Sequence, residues 1–401
     1  MTPPPARPPA PTRTDPAGLD PAGPVVAVLG GGQLGRMLGL AGIPLGLNFR
    51  FLDPSPSATA QAIGPVRVAA LEDETAARAV ATGARVVTWE WEGIPAATAR
   101  AAAAHAPVRP DPRALEVAQD RLVEKTTFVR LGIDVPTFAA VDDQAGLRAA
   151  LDTVGLPAVL KTRRGGYDGK GQRVLRDAGD VDGAWAALGG APLILEELVP
   201  FQRELSVLAV RGLTGETACY PLIETEHGDG VLRACRAPAP WVDEERQEAG
   251  FAIAARLLTE LDYVGLLTVE LFDCGDRLLA NEFAPRVHNS GHWTIEGSVT
   301  SQFENHLRAI LGWPLGATTG RGHSGLVNLL GALPDREQLL AIEDAHLHDY
   351  RKAPHPGRKV GHVTVIADTA EGRDRRLAAV RAVVDSTPPP SPPTRGRQQS
   401  G

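Results

Sequence analysis

Ala158-Val159-Leu160-Lys161, running on into Thr162-Arg163-Arg164-Gly165-Gly166-Tyr167-Asp168-Gly169-Lys170-Gly171, is the stretch on which the fold turns. An apolar strand ends in a lysine and opens directly into a loop with four glycines in seven residues. Glycine backbone can fold closely over an anion and offer it several amide N–H groups. Lys161, Arg163, Arg164 and Lys170 add cationic charge at the same place. The competing reading is a surface hairpin turn with solvated lysine and arginine. Lys161 at the strand end and Tyr167-Asp168 inside the loop favour the phosphate cradle.

Further along, Gly265 to Phe272 and Arg277 to Phe283 read as two strands around the turn Asp273-Cys274-Gly275-Asp276. A register centred near Asp276 makes Glu270 and Glu282 cross-strand neighbours on one face, with Cβ atoms about 5 Å apart. Two carboxylates so placed repel unless a cation lies between them, and magnesium prefers oxygen ligands. Leu267, Val269, Leu271, Leu278 and Leu279 flank the pair, so it is predicted to be half buried rather than solvated. Arg286-Val287-His288-Asn289-Ser290-Gly291-His292 follows at once and offers a cation and amide donors to a small oxyanion; a loop stapled by its own hydrogen bonds is the alternative. Glu196-Glu197-Leu198-Val199, with Glu204 close behind, follows another strand and suits an adenine edge and ribose hydroxyls, though an ordinary acidic connection would look the same. Lys352, Arg358, Lys359 and His362 form a basic cluster that alone reads as a solvated face.

Before all this, Val25 to Leu29 breaks into Gly30-Gly31-Gly32-Gln33-Leu34-Gly35, and later apolar runs end at Asp53 and at Glu90. Strands alternating with helical stretches predict a parallel sheet. Gly30-x-Gly32-x-x-Gly35 with Asp53 downstream also fits a dinucleotide fingerprint, and so a nicotinamide-dependent oxidoreductase. Nothing later supplies a hydride-transfer site. A helix is predicted over about Pro112 to Leu131. The predicted organisation is an N-terminal α/β domain over 25–112, a central domain over 113–317 and a small C-terminal domain over 318–385, between disordered Pro-rich tails at 1–24 and 386–401. The 401 residues carry a net charge of −7, which gives no pull toward nucleic acid. No apolar run reaches the roughly 18 residues a membrane span needs. Three scattered cysteines fit neither a disulfide framework nor a zinc site, so a cytoplasmic protein is expected.

Gly-Gly-Tyr-Asp-Gly-Lys-Gly (165–171), Asn-Glu-Phe-Ala-Pro-Arg-Val-His-Asn-Ser-Gly-His-Trp (281–293) and Pro-Gly-Arg-Lys-Val-Gly-His (356–362) closely resemble the 5-(carboxyamino)imidazole ribonucleotide synthetase family. The resemblance runs from about Val25 to Val365. It implies a mixed α/β and α+β chain: an ATP-grasp fold with an N-terminal parallel-sheet domain, the pre-ATP-grasp domain, and a small C-terminal domain. It implies the carboxylation of aminoimidazole ribonucleotide with ATP and bicarbonate, through carboxyphosphate, and a homodimer. ATP contacts are implied at Arg121, Lys161, Gly165, Gly166, Tyr167, Asp168, Gly169, Lys170, Gly171, Glu196, Glu197, Leu198, Val199, Glu204, His227, Asn281 and Glu282, and magnesium at Glu270 and Glu282. Gln33, Leu34, Glu90, Lys352, Arg358 and Lys359 are implied for the ribonucleotide. Arg286, His288 and Asn289 are implied for bicarbonate, with Asp168 and Lys352 beside them in the chemistry. His355 stands where the family commonly has arginine and Thr225 where it usually has asparagine, so neither is carried over. A formate-using glycinamide ribonucleotide transformylase of the same fold, and a non-catalytic nucleotide-binding module, are the other readings.

Overall fold

The computed structural model describes residues 23–166, 169–190 and 192–388. The expectations for most of both tails, and the roles given to Tyr167 and Asp168, fall outside the described residues. Three sheets organise the rest. β1 (Val25–Leu29), β2 (Asn48–Asp53), β3 (Val66–Val68) and β4 (Val86–Trp89) form a parallel sheet in the order β3-β2-β1-β4. β1 and β4 are buried almost throughout, which is why they read as continuous apolar runs rather than alternating ones. The chain reverses its direction of winding between β1 and β4, and such a switch point leaves a crevice at the carboxyl ends of the strands. Asp53 and Glu90, which terminate β2 and follow β4, are thereby delivered to the glycine turn that ends β1.

β5 (Phe138–Val141), β6 (Ala158–Thr162), β7 (Gln172–Leu175) and β8 (Leu193–Glu197) form an antiparallel sheet in the order β5-β8-β6-β7. Helix Gln144–Val154, capped by Asp143, buries Leu147 and Ala150 against Leu160 and Leu195 of this sheet. The largest sheet has nine strands: β9 (Arg203–Arg211), β10 (Thr217–Cys219), β11 (Ile223–Gly228), β12 (Val231–Ala237), β13 (Gly265–Asp273), β14 (Leu278–Ala284), β15 (His323–Leu330), β16 (Ala345–Asp349) and β17 (Lys359–Ala367). Its order is β14-β13-β9-β11-β12-β15-β17-β16, with β10 on β9, so the strands of segment 318–385 extend this sheet through β12 and β15. Helix Glu244–Glu260 covers one part of it with Leu257 and Leu258. Helix Gln302–Leu311 packs on β13 and β9 and shares a core with Met37, Leu38 and Phe49 of the first domain.

One element departs from expectation. The single helix predicted near 112–131 is two, Arg113–Ala118 and Arg121–Arg130. Asp120 breaks it: its carboxylate accepts from the amides of Leu122 and Val123 and so starts a new helix rather than continuing the old one. Among the described residues, no helix is long and apolar enough to cross a membrane.

Candidate active site

The β6 and β8 strand ends bring Lys161 and Glu196 together at 2.9 Å. Lys125, from the helix that Asp120 caps, reaches the same Glu196 oxygen at 3.4 Å. Burial alone would raise the Glu196 carboxyl, but the two lysines hold it down at about 2. Its other oxygen, Oε1, is buried with no hydrogen-bond partner among the described residues and so keeps an acceptor to offer. Arg121 donates to the Thr162 and Gly166 carbonyls, 3.0 Å each, and so clamps the root of the glycine loop. Gly171 closes that root at φ +73°, where a Cβ would also lie 2.6 Å from the Thr162 hydroxyl; only glycine fits. Glu197 differs from its neighbours, since its carboxylate braces the Thr137 amide, while Val199 is buried and Leu198 exposed. Glu204 lies 2.8 Å from His227 Nδ1. Burial works against protonating this imidazole, yet Glu204 and Glu270 raise its pKa overall.

β13 and β14 pair Glu270 directly with Glu282, the register the sequence pattern called for. The expectation of a half-buried pair holds only for Glu270; Glu282 is exposed. Burial and the neighbouring Glu282 charge raise Glu270 to about 7. Two facing carboxylates in that state suit a divalent cation. Among the described residues no cluster of three or more potential ligands forms, so the remaining ligands would be water and phosphate oxygens, as magnesium accepts.

His288 Nε2 lies 3.4 Å from Glu270, which joins the carboxylate pair to the loop after β14. Burial first, then Arg286, keeps the His288 pKa well below its usual value, so the ring is neutral there. The loop is stapled both by itself and from outside: His288 Nδ1 lies 2.9 Å from the Ser290 hydroxyl and the Gly291 amide donates to the His288 carbonyl, while Gln302 accepts from the His288 amide and donates to the same carbonyl. Asn289 exchanges two hydrogen bonds with Asn328 of β15, which leaves it only part of its donor capacity. Arg286 is paired with Glu92, a residue the sequence reading passed over although it lies two positions beyond Glu90. Trp89 Nε1 donates to the Pro285 carbonyl (2.9 Å), so the first domain grips this loop at two points.

At the first glycine turn, Gly31 N donates to Asp53, and Gly32 N and Gly35 N donate to Glu90 at 2.9 Å each. A dinucleotide pyrophosphate would need those amides, which counts against the oxidoreductase reading. Burial raises the Glu90 carboxyl in spite of the two amide bonds. Lys352 crosses from the far end of the chain to bond Gln33 Oε1, with Arg358 and Lys359 close enough to depress its pKa further after burial has done so. Lys352 of the distant basic cluster therefore reaches the turn. Leu34 does not join them by its side chain, which is 7% exposed and sits in the core, so any contact it makes runs through its backbone.

Carboxylates take the amides of the parallel-sheet turn, while the cations and the cross-strand glutamates lie between two antiparallel sheets; that division of labour defines an ATP-grasp ligase. The chain matches the ATP-grasp domain over residues 126–303, the ribonucleotide synthetase preATP-grasp domain over 24–119 and the phosphoribosylaminoimidazole carboxylase C-terminal domain over 324–376. It is 49% identical over 361 residues to N5-carboxyaminoimidazole ribonucleotide synthase of Pseudomonas aeruginosa, covering 90% of this chain and 99% of that one. The crystal structure of N5-carboxyaminoimidazole ribonucleotide synthetase from Thermus thermophilus superposes with a TM-score of 0.87 at 53% identity, over 90% of this chain and 99% of that one. The Aspergillus clavatus enzyme, crystallised with ADP and 5-aminoimidazole ribonucleotide, gives a TM-score of 0.85 at 31% identity, over 91% and 100%. The chain belongs to the N5-carboxyaminoimidazole ribonucleotide synthase family, and is an ADP-forming ATP-grasp ligase of purine biosynthesis.

Proposed function

We propose that this chain carboxylates the exocyclic amine of 5-aminoimidazole ribonucleotide with ATP and bicarbonate, and that the residues gathered above divide the work as follows. ATP lies between the β5–β8 sheet and the β13–β14 hairpin. Lys161, Arg121 and the 165–171 loop, Tyr167 and Asp168 included, hold its phosphates. Glu196 to Val199, Glu204, His227 and Asn281 receive the nucleoside. Glu270 and Glu282 would hold magnesium, which supplies Lewis-acid neutralisation of phosphate charge when bound. Arg286, neutral His288 and Asn289 receive bicarbonate.

A bicarbonate oxygen attacks the γ-phosphorus, the bond to the β-phosphate oxygen breaks, and ADP leaves with that electron pair. Lys161 offsets the charge that spreads over the transferred group. The product, carboxyphosphate, is a mixed anhydride that water destroys, so the glycine loop must close over it. The ribonucleotide amine then attacks the carboxyl carbon, or carbon dioxide released from it in the closed site. Phosphate departs, and a proton leaves the nitrogen, for which Asp168 is the assigned acceptor. Gln33, the Leu34 backbone, Glu90, Lys352, Arg358 and Lys359 hold the ribonucleotide. Unpaired Cys219, Cys235 and Cys274 accord with a cytoplasmic setting, and a homodimer is proposed on the family resemblance.

The observation that carries this reading is the 3.4 Å approach of His288 to Glu270, which sets the anion loop against the nucleotide carboxylates. ADP release measured with bicarbonate, magnesium and 5-aminoimidazole ribonucleotide tests it. Turnover should require the ribonucleotide and fail with formate in place of bicarbonate; ribonucleotide-independent or formate-driven turnover would overturn it. Arg358→Ala should raise KM for the ribonucleotide about tenfold, the size of one charge-assisted hydrogen bond. Arg358 is exposed and its guanidinium donates to the Ala353 carbonyl, away from the nucleotide, so KM for ATP should stay within about twofold.

A further inference from the structure

The strand that carries Glu282 is irregular at one point. Glu270 pairs with Glu282 and Leu271 with Ala280, so Asn281 has no residue opposite it. A bulge of this kind bends the strand and re-aims the side chains beside it, at the cost of ladder hydrogen bonds. The groups around it are met by two consecutive residues of helix Arg121–Arg130. Lys125 Nζ donates to the Asn281 carbonyl at 2.6 Å and to the Ala280 carbonyl at 3.3 Å. Glu124 Oε1 accepts from the Phe283 amide at 2.7 Å. Both side chains are almost wholly buried, Lys125 at 1% and Glu124 at 2% exposure. Glu282 is thus bracketed, carbonyls before it and amide after it, by ionisable groups that are costly to bury and that apolar packing alone would not require. Lys125 also touches Glu196, and Arg121 of the same helix holds the glycine loop, so one helix sets the phosphate loop and the carboxylate strand together.

We propose that Glu124 and Lys125 are positioning residues that fix the bulge at Asn281 and thereby aim Glu282 at the metal–nucleotide complex. This rests on the reading of Glu282 as a metal-holding residue. The test is calorimetric titration of the intact chain with ADP, with and without magnesium. Glu124→Ala should weaken ADP binding about tenfold with magnesium present, the usual effect of losing a group that orients a metal ligand, and by less than about twofold without it. Glu124→Gln keeps an acceptor for the Phe283 amide and should bind as the parent does. Lys125→Met should weaken binding at least as much as Glu124→Ala; should it fail to fold, the two Glu124 variants still decide. Equal losses with and without magnesium in Glu124→Ala, or a loss in Glu124→Gln as large as in Glu124→Ala, would overturn the proposal. Glu282→Gln separates the two levels. If it binds magnesium–ADP like the parent, the metal reading has failed; if it loses binding while Glu124→Ala does not, only the positioning role has.

Discussion

Glu282→Gln is expected to reduce ribonucleotide-dependent ADP release by about 1000-fold, roughly 4 kcal/mol of transition-state stabilisation, while the melting temperature moves by no more than about 1 °C. The two effects part because of where the side chain stands. It is exposed, so glutamine loses no packing, and the amide has the same shape. Its partner across the strands, Glu270, is pushed up by burial and then by the Glu282 charge, so removing that charge relieves a repulsion. A stabilising contact would behave in the opposite way. Thermal unfolding and the ADP assay on the same preparation decide it: a melting temperature lowered by several degrees with turnover retained would make Glu282 a structural residue.

Two kinds of feature in this chain were legible at different depths. Local patterns could be read directly. The β13–β14 hairpin, the strand carrying Lys161 near its end, and the turn at Gly30–Gly35 each follow from alternation, apolar runs and glycine spacing within about a dozen residues. The convergence of Asp53 and Glu90 on that turn was also within reach, since parallel strands flanking a switch point must end together. The partners that complete the site were not. Glu92 and Arg286 are 194 residues apart, and Asn289 and Asn328 are 39 apart, with nothing in the local pattern of either to announce the other. Gln302 looks like an ordinary helix-start residue, yet both ends of its amide hold His288. Glu124 and Lys125 sit in a helical run where charge normally means solvent; here both side chains turn inward to the backbone around Asn281. The break at Asp120 is not legible in the sequence, because a helix period across 112–131 is indistinguishable from two short helices until the cap forms.

Gly32→Ala should cut kcat/KM for the ribonucleotide about 100-fold, the scale set by a displacement of about 1 Å in a positioned group, and leave KM for ATP within about twofold. The backbone is not the obstacle, for Gly32 has φ −78° and ψ −160°, which alanine adopts freely. The obstacle is Glu90, whose Oε1 would lie 2.7 Å from the new Cβ. The carboxylate is the flexible end of its side chain and can yield, but only by leaving the amides of Gly32 and Gly35 that now hold it. Its charge also faces Lys352, so a displaced Glu90 disturbs the cation that bonds Gln33 as well. Two amide–carboxylate bonds weakened in this way lower stability by about 2 kcal/mol, too little to unfold the chain. The half of the molecule proposed to hold ATP, built on β6, β8 and the β13–β14 hairpin, lies on other sheets and should not register the change. Bicarbonate-dependent ADP release followed against each substrate in turn gives the answer. An equal rise in both KM values, or an unchanged ribonucleotide profile, would remove the substrate from the first turn and leave the facing of Lys352 and Glu90 without a chemical purpose.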